Sequence, residues 1–314
     1  MHLHPVLAAL RSDDAPQRQA QTALFGATAA WRMAEAEAMS ALAAFGAGEE
    51  LGDCPRLAEL FSDSAHAMAF AAGFVGDMAQ ALVLAPLGHL PLRHFTDGTV
   101  STLLLARSGR AALFLAAIDG EGLSTQRPPV SVSFAGTESH EAILAGSARA
   151  ELVSADRERT ELTLAPGSML SRDCSRRALV LREVSGTLVS LRLQRRGDDP
   201  PPTREIDLAT GRLVHQAAAR AEESRAELMI ALLGRMGRSD AAPALTRIAL
   251  ERGPQALRWQ ALRECLGLDT AAGFAVLDQI ARSPTDPLAP PAGALRAQLI
   301  EAHPQLAEIV LCPA

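Results

Sequence analysis

The sequence contains no lysine, no asparagine and no tyrosine. Its basic charge is therefore all arginine, whose guanidinium stays protonated and cannot act as an amine nucleophile. A Schiff-base lysine and the phosphate-gripping lysine of a P-loop are both excluded. So is Asn-X-Ser/Thr glycosylation. Cysteine is sparse too: Cys54, Cys174, Cys265 and Cys312 are far apart and form no C-x-x-C pair. Such spacing points to reduced thiols in a cytoplasmic protein rather than a disulfide framework. The opening "MHLHPVLAALRSDD" has neither the basic flank nor the long apolar run of a signal peptide. His2 and His4 in that opening are most simply incidental.

What is present describes a globular chain. Apolar residues make up 48% and charged residues 21%, which is too apolar for disorder. At 314 residues a large core is within reach, and length suggests roughly two domains. The net charge of -6 is concentrated early, because residues 1–90 hold four arginines against ten acidic residues. That excess disfavours phosphate backbones, and no aromatic platform alternates with basic residues, so no nucleic-acid partner is expected. The most apolar stretch, "AMAFAAGFVGDMAQALVLAPLGHLPL", is broken by Asp77 and by prolines. It reads as a buried helix followed by a loop, with no membrane partner expected.

Periodicity divides the chain in three. Leu24, Trp31, Ala38 and Phe45 recur at helical intervals, and a second helical stretch over 56–84 offers Leu57, Leu60, Phe61, Phe70, Phe74 and Met78 as a buried stripe. From about Thr99 the period changes to that of strands. Eight short β candidates follow: "TVSTLLLA", "RAALFLAAI", "PVSVSFA", "EAILAG", "ARAELVSA", "RTELTLA", "RALVLREV" and "GTLVSLRLQR". They leave little room for the crossovers of a parallel sheet, which favours a sandwich or jelly roll. "RRGDDPPPTREIDLATG" reads as a proline-rich exit. Short helical blocks return after Gln216, with Asp240 and Asp269 as N-cap candidates. The expected fold class is α+β. An acidic helical region over 1–90 precedes a β domain over 91–200, and a linker with a short-helix array fills 201–314.

Candidate chemistry is thin. No serine has a G-x-S-x-G setting. Cys174 lies beside Arg172, Arg176 and Arg177, where positive charge would favour a thiolate, but "RDCSRR" is more simply a solvated turn. Glu138 and Glu141 form an acid/base pair only if the backbone bends between them. His89 and His94 frame "HLPLRH", a proline-containing entry loop ahead of the first strand.

The β segment resembles a cupin, and more narrowly the second half of that barrel. "SHEAILAG" (139–146), "LTLAPG" (162–167) and the closing "SRRALVLREVSGTLVSLRL" (175–193) carry the likeness. It implies a jelly-roll β barrel flanked by helical regions. The carboxy-terminal blocks resemble HEAT-like helices. Metal-binding cupins place a His-x-His pair and a later carboxylate before the glycine of one motif, and another histidine after Pro-Gly. Here His140 matches one member of the pair. Glu141 adjoins it, so in an extended strand the two point to opposite faces. Leu170 stands where the second motif asks for histidine. One secure donor falls short of the three protein ligands that a catalytic metal normally needs.

The sequence therefore favours a noncatalytic binding or protein-interaction protein on a cupin-like scaffold, with no cofactor and a protein or small-molecule partner of unspecified identity. An exposed apolar barrel face would favour a homodimer. The alternative is a cupin-like metal-dependent oxygenase or isomerase holding iron, manganese or zinc. It would use His89, His94 and His140, with Asp97, Glu138 and His215 as further donors. That alternative requires at least three of these side chains to converge.

Overall fold

A computed structural model describes residue 10 and residues 12–309, so His2, His4 and Cys312 lie outside the described residues. In the first helical segment the apolar stripe holds while the helix breaks. Helices α1 (Ala15–Ala34) and α2 (Ala36–Ala47) meet at Glu35, yet Leu24, Trp31, Ala38 and Phe45 are all buried. The stretch over 56–84 is likewise two helices, α3 (Pro55–Ser62) and α4 (Ser64–Leu84). Asp63 ends the first and caps the second, its carboxylate accepting from the Ala65 amide at 2.9 Å. All six residues expected on the buried stripe are buried. Trp31 meets Phe70 and Phe74 edge-on, with ring centroids 5.7 and 4.8 Å apart. Such pairs add roughly 0.5–1.5 kcal/mol beyond their burial. By length and composition α4 is apolar enough to cross a membrane, but Phe70, Phe74 and Met78 turn its inner face into this core.

The strands are β1 (His94–Thr96), β2 (Val100–Ser108), β3 (Ala111–Asp119), β4 (Ser131–Phe134) and β5 (Thr137–Ser154), with a short helix α5 (Gly120–Thr125) after β3. They continue as β6 (Arg159–Leu164), β7 (Met169–Asp173), β8 (Arg177–Arg196), β9 (Thr203–Asp207) and β10 (Leu213–Ala217). A seven-stranded sheet runs β1-β2-β3-β8-β5-β6, with β7 also on β5, and β10-β9-β4 form a second sheet. The ladders of the large sheet are antiparallel. Its path is open, and no ladder joins β1 to β6 among the described residues.

Two pairs of expected short strands are in fact two long ones. "EAILAG" and "ARAELVSA" are both β5, and "RALVLREV" and "GTLVSLRLQR" are both β8. The glycines between them bend a strand instead of ending it. Gly146 has φ +74°, and a Cβ there would lie 2.2 Å from the Thr187 carbonyl oxygen, so the chains touch backbone to backbone. The stretch read as an exit carries β9, because its prolines stop at Pro202 and the strand starts at Thr203, and β10 follows just beyond it. Helices α2 and α3 cover one sheet face, where Phe45, Leu57 and Phe61 pack with Leu105, Leu113, Leu191 and Leu193. Ile143, Leu164, Val184 and Leu188 form a separate cluster.

The chain divides into two compact units, Met1–Gln216 and Ala217–Ala314. The second comprises α6 (Ala221–Arg235), α7 (Ala242–Leu250), α8 (Gln255–Leu268), α9 (Thr270–Ala281), α10 (Ala289–Ala302) and α11 (Leu306–Ile309). Asp269 caps α9 as expected, accepting from the Ala272 amide at 3.0 Å. Asp240 does not cap a helix; it pairs with Arg238 at 2.8 and 2.7 Å. Leu245, Leu262, Phe274 and Leu277 fill the core. Arg258 is buried beside them, gripping Asp286 at 3.1 and 2.5 Å and donating to the Ala249 carbonyl at 2.9 Å. The architecture as a whole is mixed α+β, with β sheets preceded and followed in the chain by helices.

Candidate functional site

Strand alternation sends His140 and Glu141 to opposite faces, as the sequence implies. The ladders then decide what each one meets. Glu141 stands opposite Leu170 on β7 and opposite Arg192 on β8, while Ser139 stands opposite Arg172. The β5–β8 register thus joins 139–146 to 175–193, two of the stretches that carry the cupin resemblance, and Leu170 on β7 faces the strand at Glu141 itself. Glu141 is 2% exposed. Its Oε1 accepts from Arg172 at 2.5 Å and its Oε2 from Arg192 at 3.1 Å, with the Ser139 hydroxyl donating at 3.3 Å. Burial pushes the carboxyl up, but the two arginine charges and their hydrogen bonds outweigh it, so Glu141 stays below its ordinary range.

Two guanidiniums on one carboxylate leave an excess of one positive charge. The Nε atoms of both Arg172 and Arg192 are buried without a hydrogen-bond partner. A carboxylate gripped this way is not free to ligate a cation, which would have to approach two arginines. The arginines were the residues that sequence reasoning missed. "RDCSRR" looked like one solvated turn, but it straddles a strand end. Arg172 is still in β7 and turns inward, while Arg176 lies in the turn, exposed, 3.8 Å from Asp173. The alternation of β7 would have given the signal, had that strand been recognised.

On the other face, His140 lies against helices α2 and α3, its ring 6.2 Å from Phe45 and 6.3 Å from Phe61. Its Nδ1 is 2.8 Å from the Ser171 hydroxyl, and its Nε2 is buried without a partner. Burial lowers its pKa, the charge of Glu138 opposes that, and the charge of Arg195 reinforces it. Glu138 is itself paired with Arg195, which stacks 4.0 Å over the Phe45 ring.

The other histidines are occupied elsewhere. His89 is exposed, and its backbone exchanges hydrogen bonds with Gln21 at 3.0 and 3.2 Å. His94 is exposed on β1, with Nδ1 3.5 Å from the Leu92 carbonyl. Asp97 closes the turn before β2, accepting from the Thr99 and Val100 amides at 2.9 and 2.7 Å. Those bonds, led by Val100, hold its carboxyl below the usual value. His215 is exposed on β10. Among the described residues, no group of three or more His, Cys, Asp or Glu side chains is placed to hold a metal ion. His89, His94 and His140 do not form such a group.

The helical unit has a groove of about 630 Å³. Trp259, Arg263 and Leu266 face it from α8, and Leu295 and Leu299 from α10, with His303 just beyond. Both sets follow helical spacing, so each helix lends one stripe. Trp259, Leu262 and Leu266 share helical spacing on α8. The structure instead buries Leu262 in the core and gives Arg263 to the groove.

No family model matches the chain, and no curated protein matches it. Among solved structures the likenesses are weak and partial, to proteins of cupin or jelly-roll fold. The 7S globulin of Momordica charantia is 10% identical, with 38% of this chain and 36% of that one covered and a TM-score of 0.28. The capsular polysaccharide assembling protein CapF of Staphylococcus aureus is 9% identical, with 35% and 30% covered and a TM-score of 0.28. A cupin superfamily protein of Desulfitobacterium hafniense is 14% identical, with 33% and 83% covered and a TM-score of 0.25. The chain spans about a third of the length of the first two of these.

Proposed function

We propose that this is a cytoplasmic, noncatalytic binding or interaction protein, built on a cupin-like jelly-roll scaffold with a HEAT-like helical array. One observation carries the proposal: Glu141, the carboxylate adjacent to His140 in sequence, is committed to Arg172 and Arg192. Cation chemistry needs donors that are deprotonated, convergent and open to the ion. Here the carboxylate faces two fixed positive charges, and the imidazole faces Phe45 and Phe61 on the opposite side of the strand. These groups hold a scaffold together.

The test is metal content. The full chain, purified from medium supplemented with iron, manganese and zinc, is expected to carry far less than one divalent ion per molecule. Added metal is expected to leave its Tm unchanged. About one bound ion per chain, lost in His140→Ala, would overturn the proposal in favour of the metal-dependent alternative.

A further inference from the structure

We propose that the groove between α8 and α10 binds an amphiphilic carboxylate, its apolar body lying along Trp259, Leu266, Leu295 and Leu299 and its head on Arg263. The proposal rests on the binding-protein reading above, and it names the chemistry of what is bound.

Three observations converge on it. The volume, about 630 Å³, lies within the range of small-molecule sites. The lining has the required mix. The two helical stripes supply an indole ring and leucines, and the exposed Arg263 lies on the α8 stripe between Trp259 and Leu266, with Thr270, His303 and Gln305 as the other polar lining residues. Arg263 is also uncommitted. Arg258 is tied to Asp286 in this unit, and Arg282 and Arg296 to Asp278. Arg263 has no hydrogen bond or ion pair among the described residues. A guanidinium without a carboxylate, next to an apolar floor, matches a ligand that brings one carboxylate and an alkyl or aryl tail. A protein partner fits less well. Nine residues line the groove, whereas a specific protein interface engages about 20–30 residues on each side.

Isothermal titration of the full chain with decanoate, below its micellar concentration, tests the proposal. Saturable binding of one decanoate per chain is expected, with the Trp259 indole NMR signal shifting and that of Trp31, in the other unit, staying still. Arg263→Gln should weaken binding about 10–100-fold, the usual worth of charge-assisted hydrogen bonds, while leaving Tm unchanged because the side chain is exposed. Leu299→Glu, which puts a negative charge on the floor, should abolish binding. Equal affinity for decanoate in Arg263→Gln and wild type, equal affinity for decanol, or non-saturable uptake would each overturn it. So would a groove that ignores decanoate but binds an acidic amphipathic peptide. A metal-loaded β unit with normal decanoate binding would sink only the noncatalytic reading, and loss of decanoate binding in a metal-free protein would sink only this one.

Discussion

Arg172 and Glu141 stand diagonally across the β5–β7 ladder, and their side chains meet at 2.5 Å with Glu141 only 2% exposed. A buried ion pair adds little over a well-packed apolar pair, but breaking one strands a charge and costs about 3–5 kcal/mol. Glu141→Gln would strand two arginines. We expect it to destabilise the first unit by about that amount, measured by urea unfolding, and to do so more than Arg192→Gln. That second change leaves Arg172 and Glu141 paired.

The same contact sets a pH dependence. The folded Glu141 carboxyl lies below its ordinary value, so its stabilisation is complete above the ordinary carboxylate range. It is lost as pH falls through the lower, folded value. Glu141→Gln should therefore flatten the acid limb of the stability curve as pH falls below the ordinary carboxylate range. An unchanged acid limb would show that other carboxylates carry it.

His140 gives the opposite kind of variant. Its folded pKa is depressed by burial, so the unfolded chain binds a proton more readily, and stability falls as pH drops below about 6.5. His140→Phe keeps the aromatic contacts with Phe45 and Phe61 and removes an unpartnered buried nitrogen. Its Tm should match or exceed that of wild type at pH 7, and the advantage should widen at pH 5. A variant that loses Tm equally at both values would argue against this environment.

The two strand glycines separate conformational strain from a clash. Gly146 and Gly186 have φ of +74° and +68°, but only at Gly146 would a Cβ meet backbone, at 2.2 Å. Gly186→Ala should cost about 1–2 kcal/mol, the usual price of a left-handed residue. Gly146→Ala should cost distinctly more, since the Thr187 carbonyl must also move. Equal costs by chemical denaturation would mean that β5 relaxes away from β8.

Much of this was legible in the sequence where burial and periodicity act locally. Phe70, Phe74 and Met78 announce a helix stripe, and Asp269 announces a cap. Strand lengths were not legible, because a glycine that bends a strand against a neighbour and a glycine that ends one look alike until the neighbour is known. The site failed for the same reason. That His140 and Glu141 point to opposite faces follows from alternation alone. Arg172 and Arg192 reach Glu141 from positions 31 and 51 residues away, and only the β5–β7 and β5–β8 registers bring them there.

The protonation state of Glu141, followed by carbon NMR of its labelled carboxyl through a pH titration with and without zinc, tests the central claim most directly. A carboxyl that stays ionised below its ordinary range, and whose signal zinc leaves in place, is the predicted result. A carboxyl that titrates at or above its ordinary value, or that shifts on one equivalent of zinc, would mean that the arginines do not own it.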